Sequence, residues 1–114
     1  MILAGDIGGT KTVLALYEKS REGLRQVREE VYPSRGEGGI DLILEKFLAG
    51  ERADSACFGV AGPVLDGKVV TTNLPWTLSE EDLKKRLGTD RVKLLNDLEA
   101  AAYGMLFQIG RAHV

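Results

Sequence analysis

Two residue types that often carry reactivity are nearly absent: the 114 residues include one cysteine and one histidine. The lone Cys57 cannot form an internal disulfide. It lies in the apolar run Ala56-Cys57-Phe58-Gly59-Val60 with no histidine near it in sequence, which reads as a buried, inert thiol rather than a nucleophile. Long hydrophobic runs are missing too. No stretch approaches the roughly 18 apolar residues of a membrane span, so no membrane partner is expected. The N-terminus lacks a basic segment followed by an apolar one, so no secretory signal is expected, and a reducing cytoplasm fits the cysteine usage. Nor is there an excess of positive charge. The formal net charge is −2, which argues against a nucleic-acid partner, because phosphate backbones demand a basic face. The one dense basic run, Lys84-Lys85-Arg86, directly follows Glu80-Glu81-Asp82-Leu83 and reads as the solvated face of a helix.

What is present is an ordinary globular composition, 44% apolar, in a chain long enough for one domain with a modest core. Ile2 to Ile7 and Thr12 to Tyr17 read as short buried strands flanking Gly8-Gly9-Thr10-Lys11, a turn signal. Leu24 to Tyr32 reads as a third strand with the weak alternation of a sheet edge. Pro33 to Gly39 is a loop rich in glycine and charge. Ile40, Ile43, Leu44, Phe47 and Leu48 then recur at helical spacing, and Gly50 stands where a glycine cap belongs. Ala56 to Val60 is a buried strand. Asp66-Gly67 signals a hairpin turn before a strand over Lys68 to Thr72. Ser79 is placed to cap a second helix, with Asp82 at its third position, Leu78 stapling against Leu83 and Gly88 ending it. Arg91 to Leu95 is a further strand, and a third helix is expected from Leu98 through Ala100-Ala101-Ala102. The order β-β-β-α-β-β-α-β-α predicts an α/β fold with helices packed on a mixed sheet.

The last seven residues, Gln108 to Val114, break the helical pattern. They match the translation of a common sequencing-adapter read rather than a natural frayed terminus. They are therefore set apart from a lobe over residues 1–107, the reading frame is expected to be cut near Phe107, and His113 has no functional reading.

Two stretches carry chemistry. In Gly5-Asp6-Ile7-Gly8-Gly9-Thr10-Lys11-Thr12 the paired glycines allow positive φ and a close backbone approach by a ligand. Their N–H groups, with the Thr10 hydroxyl, suit phosphate oxygens, and Asp6 at the strand end suits Mg²⁺ held through water. A plain two-glycine hairpin is the competing reading. The stretch is not a P-loop, and the near match Gly62 to Val69 fails because Val69 stands where a hydroxyl is required and a strand follows. In the second stretch, Leu94-Leu95-Asn96-Asp97-Leu98, an amide and a carboxylate meet at a strand-to-helix junction, where α/β sheets usually bind ligands. A carboxylate there can accept the proton of an attacking hydroxyl. A helix N-cap is the competing reading, and both can hold at once.

In order along the chain, the segments Leu3 to Thr12, Gly59-Val60-Ala61-Gly62-Pro63-Val64, Thr71-Thr72-Asn73-Leu74-Pro75-Trp76 and Leu94 to Gly104 resemble the bacterial glucokinase family. The first is shared with many related kinases and repressors; the last two are more specific. That resemblance implies the ribonuclease H-like fold of the actin-like ATPases, here its N-terminal lobe. It implies ATP and Mg²⁺ as cofactors and phosphorylation of glucose to glucose 6-phosphate in glycolysis. By the resemblance, Asp97 is the general base toward the 6-hydroxyl and Asn96 binds other sugar hydroxyls. Gly5, Asp6, Ile7, Gly8, Gly9 and Thr10 line the ATP phosphates with Asp6 near the metal, and Asn73 and Trp76 shape the sugar cleft. The second phosphate motif, the adenosine pocket and further sugar ligands are expected downstream, so the chain alone is expected to be inactive. The resemblance leaves room for a homodimeric full-length parent.

Three alternatives stay open. A ROK-type kinase for another hexose would share these motifs. A sugar-sensing transcription repressor on the same fold would need a DNA-binding helix-turn-helix ahead of Met1. A non-catalytic interaction module is the third.

Overall fold

A computed structural model describes residues 1–35, 39–60, 64–70 and 77–96. Along the chain these form β1 (Ile2–Ile7), β2 (Lys11–Ser20), β3 (Gly23–Pro33), α1 (Gly39–Leu48), β4 (Ser55–Val60), β5 (Lys68–Val70), β6 (Thr77–Ser79), α2 (Glu80–Leu87) and β7 (Val92–Asn96). Five strands make one mixed sheet in the order β3-β2-β1-β4-β7, and β5 and β6 pair separately. The β1–β2 and β2–β3 pairs are antiparallel, whereas β1–β4 and β4–β7 are parallel. The α/β expectation therefore holds. The short β6 was not expected from the sequence. The helix expected from Leu98 and the last two residues of the strand expected over 68–72 lie outside the described residues.

Register explains the core. Leu3, Gly5 and Ile7 stand level with Leu16, Leu14 and Thr12 on one side and with Ala56, Phe58 and Val60 on the other. Side chains alternate across a sheet, so these rows share one face. The same face continues into Val92, Leu94 and Asn96 of β7. Ile40, Ile43, Leu44 and Phe47 of α1 and Leu83 of α2 join its apolar members in one buried cluster. Phe58, Leu3, Leu14 and Leu16 are fully buried, each worth about 1.5–3 kcal/mol in transfer free energy. On the other face, Cys57 stands level with Ala4 and Lys93 and is half-buried.

The caps follow the sequence signals with one change. Ser79 is extended and its hydroxyl accepts the Asp82 N–H at 3.5 Å; Gly88 closes α2 at φ 72°. Leu78 and Leu83, the expected staple, are both buried in the core. At the end of α1 it is Ala49 that enters the left-handed region first, at φ 49°, with Gly50 following at φ 92°. The Asp66-Gly67 turn is the mirror-image type expected for a two-residue hairpin. Both residues have positive φ, and Leu65 and Lys68 exchange both backbone hydrogen bonds. Arg86 does more than line a solvated face: its guanidinium reaches back to the Asp41 carbonyl at 3.2 Å and to Glu45, tying α2 to α1.

Candidate active site

The parallel strands β1, β4 and β7 all end at the same edge of the sheet. Ile7, the last residue of β1, is level with Val60, the last of β4, and Val60 is level with Asn96, the last of β7. Two strand spacings separate Ile7 from Asn96, about 9.5 Å. The glycine turn that follows Ile7 and the last residue of β7 thus lie at one edge of the sheet, with β4 between them. This carboxyl edge is where open α/β sheets gather ligands. Asp6 also sits there, exposed, but in the row of Val13 and Gly59, on the sheet face opposite to Asn96.

The turn itself differs from the sequence expectation. Among the described residues positive φ falls at glycines 23, 39, 50, 67 and 88, and at Ala49 and Asp66, but not at Gly8 or Gly9. Gly8 is nonetheless tightly placed: a Cβ there would lie 3.1 Å from the Lys11 carbonyl oxygen, to which the Gly8 N–H donates at 3.0 Å. That donor is spent inside the turn and is not offered to a ligand. The N–H groups of Gly9 and Thr10 and the Thr10 hydroxyl have no hydrogen-bond partner among the described residues, and Thr10 is exposed. Three donors on two successive residues of a turn are thus available to an anion.

Gly5 and Ile7 have a packing role. Ile7 is buried in the core, and the space of a Gly5 side chain is taken by the Phe58 ring. Asp97, Asn73 and Trp76 lie outside the described residues, so the sugar side is represented by Asn96 alone, which is half-buried. Among the described residues no cluster of three or more Asp, Glu, His or Cys side chains could hold a metal ion. A Mg²⁺ at Asp6 would therefore have to be shared with ligand phosphates, as its preference for water and phosphate oxygens permits.

The turn is backed by residues that the sequence reading left in an undifferentiated loop. Ser34, just after β3, donates its N–H to the Thr10 carbonyl at 3.0 Å. Its hydroxyl pairs with that of Thr12 at 2.8 Å, with both residues fully buried. Arg35 donates from Nε to the Gly9 carbonyl at 3.4 Å. The only hint in the sequence was Pro33, which ends a strand and leaves the next residues to fold back.

A cavity of about 290 Å³ lies elsewhere, lined by Leu44, Leu48, Ala53, Leu87 and Gly88 among others. Ala53 precedes β4 and Gly88 precedes β7, so it opens at the amino edge of the parallel strands, away from the turn. No helix among the described residues is long and apolar enough to cross a membrane.

Comparison with known proteins identifies the fold and the family. A solved glucokinase from an Antarctic psychrotroph superposes with a TM-score of 0.80 at 28% identity, over 93% of this chain and 35% of that one. A ROK family protein from Streptococcus pneumoniae superposes at 0.68 with 21% identity, which supports the fold alone. The fold is thus that of the actin-like sugar kinases. A glucokinase of Nostoc punctiforme is 39% identical over 109 residues, 92% of this chain. The glucokinase family model matches residues 3–113, and the chain belongs to that family. It spans about a third of the curated relatives it matches, 32% of the Nostoc protein.

Proposed function

We propose that the chain is the phosphate- and sugar-binding lobe of an ATP-dependent hexose kinase acting on glucose. The observation that supports this most is the shared register of Ile7, Val60 and Asn96, which brings the glycine turn and the end of β7 to one edge. On this reading Gly9 and Thr10 donate to the phosphate tail of ATP. Asp6, exposed beside them, orients a hydrated Mg²⁺. Asn96 bonds hydroxyls of the sugar, with Asn73 and Trp76 shaping the cleft.

Asp97 follows Asn96 and accepts the proton of the 6-hydroxyl. The sugar oxygen then forms its bond to the γ-phosphorus as the bond to the bridging oxygen of ADP breaks. Bound Mg²⁺ supplies charge neutralisation on the phosphates during transfer. Everything the lobe contributes is positioning and hydrogen bonding. The remaining phosphate, adenosine and sugar ligands are assigned to the rest of the protein, so this lobe alone turns over no substrate. The reading places the reaction at the entry of sugar breakdown in the cytoplasm.

The test is a coupled ADP-release assay on the full-length protein with glucose, fructose, mannose and N-acetylmannosamine. Glucose should give the highest kcat/KM, and Asp97→Asn should lower kcat by at least about a hundredfold, the usual scale for losing a general base. A higher kcat/KM for another hexose would reassign the sugar. Full activity in Asp97→Asn would remove the proposed base.

A further inference from the structure

We propose that Ser34 is a positioning residue for the anion-binding turn, acting through Thr10 and Thr12, with Arg35 as its auxiliary. This rests on the kinase reading above and adds a residue to it that carries no ligand contact of its own.

The argument begins with the peptide plane. In a trans peptide the C=O of one residue and the N–H of the next point in opposite directions. The Gly9 carbonyl and the Thr10 N–H share one such plane. Where Arg35 donates to the Gly9 carbonyl, the Thr10 N–H points the opposite way. The next plane, Thr10 C=O with Lys11 N–H, is held by the Ser34 N–H at 3.0 Å, one position beyond the β2–β3 register. Two consecutive carbonyls are therefore held by the 34–35 segment. The Thr10 N–H, opposite the first of them, is the donor that the turn presents in consequence.

The anchor is itself locked. Ser34 and Thr12 are both fully buried, and their hydroxyls satisfy each other at 2.8 Å. Thr12 is level with Ile7, so the pair sits directly beneath the base of the turn. A buried hydroxyl pair with no other hydrogen-bond partner among the described residues is costly unless both members are present and aligned. It therefore fixes the start of the 34–35 segment against β2 more tightly than an apolar contact of the same size would. Gly8 cannot compensate, since its own N–H is engaged with the Lys11 carbonyl. Nothing else among the described residues hydrogen-bonds the carbonyls of Gly9 and Thr10.

The experiment compares wild type, Ser34→Ala, Thr12→Val and the double variant in the full-length protein. Mg·ATP affinity and glucose affinity are measured by calorimetry, amide hydrogen exchange at residues 8–11 by mass spectrometry, and stability by thermal melting. Ser34→Ala should weaken Mg·ATP by about tenfold, the loss of one well-placed hydrogen-bonded constraint, and leave glucose affinity within about twofold. Exchange at residues 8–11, read chiefly from the Gly8 N–H that the turn protects, should rise while the hairpin at residues 20–23 is unchanged. The double variant removes both hydroxyls and so should regain stability over Ser34→Ala, yet not regain nucleotide affinity. Recovery of both in the double variant would reduce the pair to a structural role and overturn the proposal. So would equal losses for nucleotide and sugar, or unchanged exchange at residues 8–11. Wild type that fails to bind Mg·ATP would instead sink the kinase reading, while the exchange data would still decide whether Ser34 braces the turn.

Discussion

The carboxylate of Glu80 accepts the N–H of Leu94 at 3.3 Å, joining the first turn of α2 to the outer strand of the described sheet. The same residue donates its backbone N–H to the Gly67 carbonyl at 2.8 Å. Gly67 has no side chain to obstruct this: a Cβ there would fall 2.9 Å from Glu80 Oε1, at a φ of 72° that already disfavours one. One acidic side chain thus links the β5 hairpin turn, α2 and β7, the strand that ends in Asn96. Strand edges need their N–H groups satisfied or covered, and Glu80 does this for the Leu94 N–H. Glu80→Ala should cost about 1–3 kcal/mol, because a charge-assisted acceptor is lost. Glu80→Gln keeps an acceptor oxygen and should cost less. Gly67→Ala should cost about 1–2 kcal/mol from its left-handed backbone alone. Urea midpoints of the full-length protein check all three, and an unchanged midpoint in Glu80→Ala would contradict the link.

A side chain at residue 5 should be poorly tolerated for a reason unrelated to phosphate. Its Cβ would lie 2.5 Å from Phe58 Cδ1 and 2.9 Å from Leu14 Cδ2, and both side chains are fully buried. Gly5→Ala should destabilise by about 1–3 kcal/mol through overpacking. Pairing it with Phe58→Leu should recover part of that loss, since the smaller side chain vacates the contact. Thermal melting of the two variants decides. Equal destabilisation in single and double variants would place the strain elsewhere.

This glycine shows where sequence reading stops. Its presence next to Asp6 suggested a ligand loop; the structure adds a packing reason in β4, 53 positions further along, in a register that no local pattern reveals. The elements with local signatures were legible. Spacing of Ile40, Ile43, Leu44 and Phe47 identified α1, and Ser79 with Gly88 bounded α2. Asp66-Gly67 marked its turn because positive φ is a property of those two residues themselves. By contrast Gly8-Gly9 allows positive φ and adopts none, although the turn closes through the same kind of bond, from the Gly8 N–H to the Lys11 carbonyl. The edge shared by Ile7 and Asn96 depends on two parallel pairings and was accessible only through likeness to a known family. Ser34 behind the turn had no signature, since a serine after Pro33 looks like any loop residue.

Arg28 should matter more than an exposed strand residue usually does. From β3 it donates to the Phe47 carbonyl and, at 3.4 Å, to that of Leu48, the last residue of α1. It also pairs with Glu51, and its guanidinium lies 4.9 Å from the Phe47 ring centroid. A cation at a helix C-terminus that also covers an aromatic ring combines two modest contributions, about 1–2 kcal/mol together. Arg28→Ala should lose that amount. Arg28→Lys should recover less than half, because one ammonium cannot reach two carbonyls and a carboxylate with fork geometry. Glu51→Gln should cost under about 1 kcal/mol, the scale of a half-exposed ion pair. Chemical denaturation of the three variants ranks them, and a lysine variant as stable as wild type would show that charge alone suffices.

Cys57 gives the stability a pH dependence of predictable sign. Burial pushes its thiol above the ordinary cysteine range, and Lys93, level with it on β7, opposes this only in part. The folded state therefore holds the thiol proton more firmly than the unfolded chain does. Between the two pKa values the unfolded chain has lost a proton that the folded one keeps, so stability falls as pH rises through that window. Below it the thiol is protonated in both states and contributes no slope. Urea midpoints of wild type and Cys57→Ser should thus differ by a constant near neutrality. Wild type should then lose ground as pH is raised from about 8 toward 10, where an ordinary cysteine ionises. A disulfide reagent should label Cys57 slowly at neutral pH in the native protein and quickly once it is unfolded. Rapid native labelling, or a midpoint difference that stays flat across the window, would mean that the thiolate is tolerated at this position in the sheet.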